Sequence, residues 1–234
     1  LNEESQNNIL AINHSNIVAI IPVKGPLLNI GKENQLFYTI QKAKESKFIN
    51  KIIVSTDNEE IALYSNKLGI ETPFLRDPKY SKDTIDMAQV IKYSLDKIED
   101  GGIYPDVVIT LEPTFPFRPP CFIDDMLLKL INNGLDSVIA ARKEIRGIWK
   151  EIDNSVSQID EGNLPRSLKE PTFIELRGIG CATHPDYIRE GKILGNNIGI
   201  FELNNPYSHI EVRNNEDVVF AQKILEIKKD WFIS

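Results

Sequence analysis

The residues best able to do chemistry in this chain stand directly after its apolar runs. Lys24 and Gly25 follow the first run, Arg76 follows a shorter one, and Glu112-Pro113-Thr114 closes another. A glycine beside a cation suits phosphate. The glycine lets backbone N–H groups approach, and Lys or Arg supplies charge. Carboxylates such as Glu112 suit a divalent cation that bridges phosphate oxygens. The first loop carries neither a P-loop pattern nor Gly-x-Gly-x-x-Gly, which leaves a dinucleotide site unsupported. His14, His184 and His209 stand at no run end beside a nucleophile, so a Ser–His–Asp hydrolase is weakly supported.

Groups held this way need strands beneath them. Residues 16–23 (NIVAIIPV), 51–56 (KIIVST), 106–111 (DVVITL) and 136–141 (DSVIAA) are short apolar runs of the kind buried on both faces of a parallel sheet. A further short strand is expected over 70–75. Helices are expected over 36–46 and over 58–68, the latter capped by Asp57 and stopped by Gly69. Two more are expected, from Asp83 or Thr84 to about Ile98, and from Pro119-Pro120 to about Asn132. This alternation predicts an α/β fold with a mainly parallel sheet flanked by helices. Ligands then bind beyond the carboxyl ends of the strands. The rhythm breaks over 142–185, read as an inserted excursion that serves as a lid or packs on a partner. It returns with a strand over 197–203 and a helix over 216–228. Residues 1–15 are polar and expected to form a flexible leader, with 16–234 as a single domain.

Composition narrows the partners. The 234 residues are 41% hydrophobic and 26% charged, enough for an ordinary core without staples. A net charge of −7 with scattered Lys and Arg argues against nucleic-acid binding. No apolar run is long enough to span a membrane, so no membrane partner and a cytoplasmic location are expected. Cys121 and Cys181 lack metal-ligand spacing and read as free thiols.

Four stretches together resemble the acylneuraminate cytidylyltransferases, which make CMP-activated nonulosonic acids. Ile20-Ile21-Pro22-Val23-Lys24-Gly25 is similar to that family's opening Ile-Pro-Ala-Arg-Gly. Ile53-Val54-Ser55-Thr56-Asp57-Asn58-Glu59-Glu60-Ile61-Ala62 matches its second strand and helix. Phe74-Leu75-Arg76 with Asp83-Thr84 resembles its Leu-Arg-Pro and Asp-Thr elements. Leu111-Glu112-Pro113-Thr114-Phe115-Pro116-Phe117-Arg118 is similar to Leu-Gln-Pro-Thr-Ser-Pro-Leu-Arg. The resemblance implies a Rossmann-like nucleotidyltransferase fold and transfer of CMP from CTP to an acidic sugar, with Mg²⁺ as cofactor and a homodimer as the assembly. It implies nucleotide binding by Lys24, Gly25, Arg76, Lys82, Asp83 and Thr84, and sugar binding by Glu112, Thr114 and Arg118. Lys24, Glu211 and Arg213 would be catalytic, with Glu211 on the metal.

The chain also departs from that pattern. Its first loop, Pro26-Leu27-Leu28-Asn29-Ile30-Gly31-Lys32, is shorter than the family's phosphate loop. Glu112 replaces Gln, Lys82 stands where Ser is usual, and Phe115 replaces a small residue that would leave the pocket wider. Arg213 stands where the second metal-binding Asp is expected, in Ile210-Glu211-Val212-Arg213-Asn214. A guanidinium cannot ligate Mg²⁺ but can bind phosphate. Two alternatives therefore stay open: a catalytically degenerate domain kept for structure or interaction, and a nucleotidyltransferase of different base or sugar. Trp149, Phe173 and Ile174 in the excursion are candidate partner contacts.

Overall fold

The computed structural model describes residues 12–160, 162 and 164–228. In chain order the strands are β1 (Ile17–Val23), β2 (Asn29–Ile30), β3 (Glu33–Asn34), β4 (Lys51–Thr56), β5 (Val107–Thr110), β6 (Ser137–Glu144), β7 (Trp149–Ile152), β8 (Ser155–Gln158), β9 (Thr172–Glu175), β10 (Cys181–Thr183) and β11 (Ile198–Glu202). The helices are α1 (Gln35–Lys44), α2 (Glu59–Lys67), α3 (Met87–Asp100), α4 (Phe122–Asn132), α5 (Pro185–Arg189) and α6 (Asn215–Ile227). The main sheet runs β11-β6-β10-β5-β1-β4, with β9 paired to β6. Strands β1, β4, β5, β6 and β11 share one direction, while β9 and β10 oppose it. The expected α/β architecture is the one observed.

All seven residues of β1 are buried, as a central strand with helices on both faces requires. Its side chains alternate between two cores. Ile17, Ala19 and Ile21 join the larger cluster with Leu36 and Ile40 of α1 and Met126 of α4. Val18 and Ile20 face the other layer, with Ile91, Leu95 and Ile98 of α3. This period of two follows from the strand backbone, which sends successive side chains to opposite faces. Ile12 is also buried in the larger cluster, so the packed chain begins before residue 16. The rest of the expected leader, residues 1–11, lies outside the described residues, as do 229–234 at the far end of the expected domain. Among the described residues no helix is long and apolar enough to cross a membrane.

Helix starts are set by side chains that accept from orphan N–H groups. Asn34 accepts from Phe37 N at the start of α1, and Asn58, not Asp57, caps α2. Helix α3 starts at Met87 with Asp86 as cap, later than the expected Asp83 or Thr84. The expected strand over 70–75 reduces to one bridge between Glu71 and Ile53. The excursion is also shorter than 142–185. Its ends return to the sheet, since β9 extends along β6 and the three residues of β10 slot between β5 and β6. What projects is the exposed β7–β8 hairpin and the loop after it, where Lys169 pairs with Asp160 at 2.7 Å.

The chain leaves the sheet at Glu144. Its carboxylate receives Arg146 Nε at 2.8 Å, Arg146 Nη2 at 2.6 Å and Arg142 Nη1 at 2.8 Å, together with the Arg146 backbone N–H. The Arg146 and Arg142 hydrogen bonds hold the Glu144 carboxyl far below the usual carboxylate range. Glu144→Gln is expected to lower the unfolding midpoint at neutral pH. A folded-state pKa depressed in this way gives stability that is present above the unfolded-state Glu value and lost as pH falls through the folded one. The gap between variant and parent in thermal melts therefore closes on acidification. A gap that stays constant down to strongly acidic pH would refute the assignment.

Candidate functional site

The register of the sheet brings its chemistry to one end. Pro22 and Val23 of β1 pair with Ser55 and Thr56 of β4, and Leu111 N donates to Ile20 O at 3.1 Å. The carboxyl ends of β1, β4 and β5 thus open onto one cleft of about 470 Å³. Lys24, Gly25, Arg76, Lys82, Asp83, Glu112, Thr114 and Arg213 all line it. Eight of the expected site residues therefore converge although they span the chain from position 24 to 213.

Each is held for a local reason. Lys24 reaches across the mouth and donates to Asp83 Oδ1 at 2.5 Å, and this contact holds the Asp83 carboxyl below its usual range. Arg76 is buried and braces the floor. Its Nη1 donates to Ser55 O and its Nη2 to Val23 O, both at 2.9 Å, and its Nε donates to Ser81 Oγ at 3.1 Å. Burial pulls the Arg76 pKa down, with Asp57 opposing. Arg76 thus locks the ends of β1 and β4 together while it lines the cleft.

The far wall comes from the last third of the chain. Val212 N donates to Thr114 O at 2.7 Å, and Gln35 Nε2 donates to Val212 O. The Gln35 Oε1 accepts from Leu28 N at 3.1 Å, so one buried amide ties the first loop to the Val212 segment. A third apolar cluster, with Ile30, Tyr38, Phe117, Val212 and Ile224, presses α6 against this wall. Arg213 follows at once and pairs with Glu211 Oε1 at 2.6 Å, which raises the Arg213 pKa. Gln35 was absent from the expected site because nothing in its spacing marks it. A glutamine in the first turn of a helix reads as surface until its partners are placed.

Glu112 and Thr114 form the floor. Glu112 N donates to Gly178 O at 2.8 Å. A Cβ on Gly178 would stand 2.5 Å from the Phe115 ring and 3.1 Å from Glu112 Cδ, so only glycine fits there. Burial raises the Glu112 pKa, Arg177 opposes, Glu211 adds to the rise, and Arg213 and Arg118 oppose. Thr114 Oγ1 is buried with no hydrogen-bond partner among the described residues.

Four expectations are corrected. Arg118 does not face the cleft. It is fully buried, and its five N–H groups go to Ile179 O, Thr39 Oγ1, Phe115 O, Glu112 O and Gly178 O. A guanidinium with every donor spent on the protein has none left for a sugar. Thr84 lines a neighbouring cavity with Lys79, Lys92 and Tyr93, while Asp83 beside it lines the cleft. Phe115 packs into the core against Gly178 and does not narrow the cleft. Glu211, expected to be catalytic and to hold Mg²⁺, is not among the residues that line the cleft, and its Oε1 is taken by Arg213 at 2.6 Å. Among the described residues no group of three or more His, Cys, Asp or Glu could hold a metal ion. Glu211 has given an oxygen to Arg213, whose charge would repel a divalent cation.

Comparison with known proteins bears on the family and the fold. Residues 21–170, more than half of the chain, match a family model described as Cytidylyltransferase. Similar proteins include the CMP-N,N'-diacetyllegionaminic acid synthase of Legionella pneumophila, 29% identical over 186 residues that cover 76% of each chain. The pseudaminic acid cytidylyltransferase of Campylobacter jejuni is 25% identical over 156 residues, 62% of this chain and 67% of that protein. Among solved structures, a CMP:2-keto-3-deoxy-manno-octonic acid synthetase complexed with CTP superposes with a TM-score of 0.68 at 14% identity, over 92% of this chain and 100% of that one. At that identity the superposition speaks for the fold alone.

Proposed function

The chain belongs to the cytidylyltransferase family, and from that premise we propose that it transfers CMP from CTP to an acidic, nonulosonic (sialic-acid-like) sugar with release of pyrophosphate. The observation that carries this reading is the convergence of Lys24, Arg76, Lys82 and Arg213 on one strand-end cleft above Glu112 and Thr114. The cations can neutralise a triphosphate while the floor meets the acceptor. In the reaction the sugar hydroxyl oxygen bonds to the α-phosphorus, and the bond from that phosphorus to the bridging oxygen breaks. Little covalent chemistry falls to the protein, which aligns the groups and neutralises charge. No step is assigned to a protein-held metal, because Glu211 is paired with Arg213 and stands outside the cleft lining.

The test is calorimetric titration with CTP, with ATP, GTP and UTP as controls, followed by assay of pyrophosphate release with acidic sugars. Selective CTP binding supports the reading. Selective binding of another nucleotide keeps the class and changes the substrate. A second reading rests on Pro26, Leu27 and Leu28, apolar residues that line the cleft where a phosphate loop is expected. No binding of any nucleotide at millimolar concentration would favour that reading, a domain retained for interaction.

Asp83 competes with phosphate for Lys24. Asp83→Asn is expected to tighten CTP binding a few-fold in the same titration. Weaker binding in the variant would mean that Asp83 itself contacts the ligand. By the same family resemblance, the excursion is proposed to pack against a second copy in a homodimer. Trp149, Val156 and Leu168 stand exposed there, which supports that reading. Sedimentation equilibrium reads it directly.

A further inference from the structure

We propose that Glu112 takes the proton from the acceptor hydroxyl as that oxygen attacks the α-phosphorus, a catalytic role that rests on the CMP-transfer reading above.

Among the described residues two acidic side chains line the cleft, Asp83 and Glu112, and two more, Asp57 and Glu211, pair with the lining cations Arg76 and Arg213; all but Glu112 are committed. Asp83 accepts from Lys24 at 2.5 Å, and Glu211 accepts from Arg213 at 2.6 Å. The Glu112 carboxylate makes no hydrogen bond or ion pair among the described residues. It nonetheless sits at the floor, half-buried, at the end of a central strand. Its backbone is fixed on both sides, with N donating to Gly178 O at 2.8 Å and O accepting from Arg118 Nη2 at 3.0 Å. A rigidly mounted, half-buried carboxylate without a partner is costly for structure alone. Such groups in clefts are candidates for chemistry. Among the described residues the neighbouring Thr114 hydroxyl has no partner either, so a lone acceptor and a hydroxyl lie two residues apart on the same floor.

The chemistry fits that position. A sugar hydroxyl becomes a strong enough nucleophile only as its proton leaves, and a general base must lie within reach of that proton. The hydroxyl oxygen bonds to phosphorus, pyrophosphate departs with the electron pair of the broken bond, and the proton moves to a Glu112 oxygen and then to solvent through the cleft mouth. The charges that face Glu112 are Arg177, Glu211, Arg213 and Arg118. Burial outweighs the three arginines and lifts its pKa above the usual Glu value, the direction that makes a carboxylate a better base.

The experiment uses the full chain, CTP and a panel of acidic sugars, with wild type, E112Q and E112D side by side. E112Q is nearly isosteric and is expected to keep the parent's unfolding midpoint and to bind CTP within about twofold of it. Its transfer rate should fall by about 10²–10⁴-fold. The acid limb of kcat/KM, on which activity rises with pH as the base deprotonates, should vanish in E112Q and persist at a lower rate in E112D. E112Q turning over at the parent's rate, or keeping the parent's acid limb, overturns the proposal while CMP transfer stands. Wild type that binds CTP but transfers to no acidic sugar overturns the CMP-transfer reading, and the role of Glu112 falls with it.

Discussion

Arg118→Met is expected to remove a large share of the folding free energy and to leave little soluble protein. Arg118 is fully buried and supplies five donors to four backbone carbonyls and Thr39 Oγ1. Those carbonyls belong to the Glu112–Phe115 turn and to the Gly178–Ile179 turn opposite, so one side chain pins the cleft floor to the strand that enters beside it. Removing one member of a buried charged network costs about 3–5 kcal/mol, a large part of the ~5–15 kcal/mol that holds a typical domain together. Lysine is no substitute. Its three donors cannot meet five acceptors, and each oxygen left bare costs about 1–3 kcal/mol. Burial brings the Arg118 pKa down to about 9, with Glu112 opposing, so the group stays cationic at neutral pH. Urea unfolding of R118M and R118K reads the effect. A midpoint shift in R118M worth less than about 1 kcal/mol would mean that the five contacts are dispensable, contrary to the expectation for a buried network.

Lys24→Ala should produce the largest loss of nucleotide affinity. Lys24 follows β1, lines the cleft and is half-exposed, so its ammonium is available to a phosphate once Asp83 releases it. A hydrogen bond to a charged group contributes about 1.5–3 kcal/mol, which is roughly a ten- to hundredfold change in Kd. Calorimetry on K24A measures it directly. The double variant K24A/D83N separates two effects. If Asp83 acts only by occupying Lys24, D83N tightens binding in the parent and changes little in K24A. If Asp83 also repels the triphosphate, D83N rescues K24A in part. CTP affinity unchanged in K24A would remove the cleft as the nucleotide site. The folded state should be insensitive to either change, because an exposed ion pair contributes little to stability.

The same two residues show how far the sequence could be read. Lys24 lines the strand-end cleft as its spacing predicts, because a cation directly after a buried strand emerges at the carboxyl edge of a parallel sheet. Arg118 was placed in the wrong role. Its side chain is the same planar fork whether it grips a ligand carboxylate or the protein's own carbonyls. Which of these it meets depends on the turn at Gly178 and Ile179, about sixty residues away in sequence. Thr84 differs more locally, since Asp83 lines the cleft and the very next residue lines the neighbouring cavity. Strand β10 was missed because three residues carry no period, and only the gap between β5 and β6 gives them a strand's partners. The cation at position 213 is written in the sequence, and its pairing with one oxygen of Glu211 becomes visible only in the structure.

By itself the sequence determined the layers and their polarity. Apolar runs that alternate with amphipathic helices can bury both faces only as a helix-covered, mostly parallel sheet, and that sheet sets the edge at which Lys24, Arg76 and Glu112 emerge. Tertiary structure decided which of the charged groups at that edge remain free. Lys24 with Asp83 and Glu211 with Arg213 are each committed to the other, Arg118 is spent on backbone oxygens and the Thr39 hydroxyl, and Glu112 has no partner among the described residues. Pairing depends on distances of a few ångströms between residues remote in sequence, and only the packed chain fixes those distances.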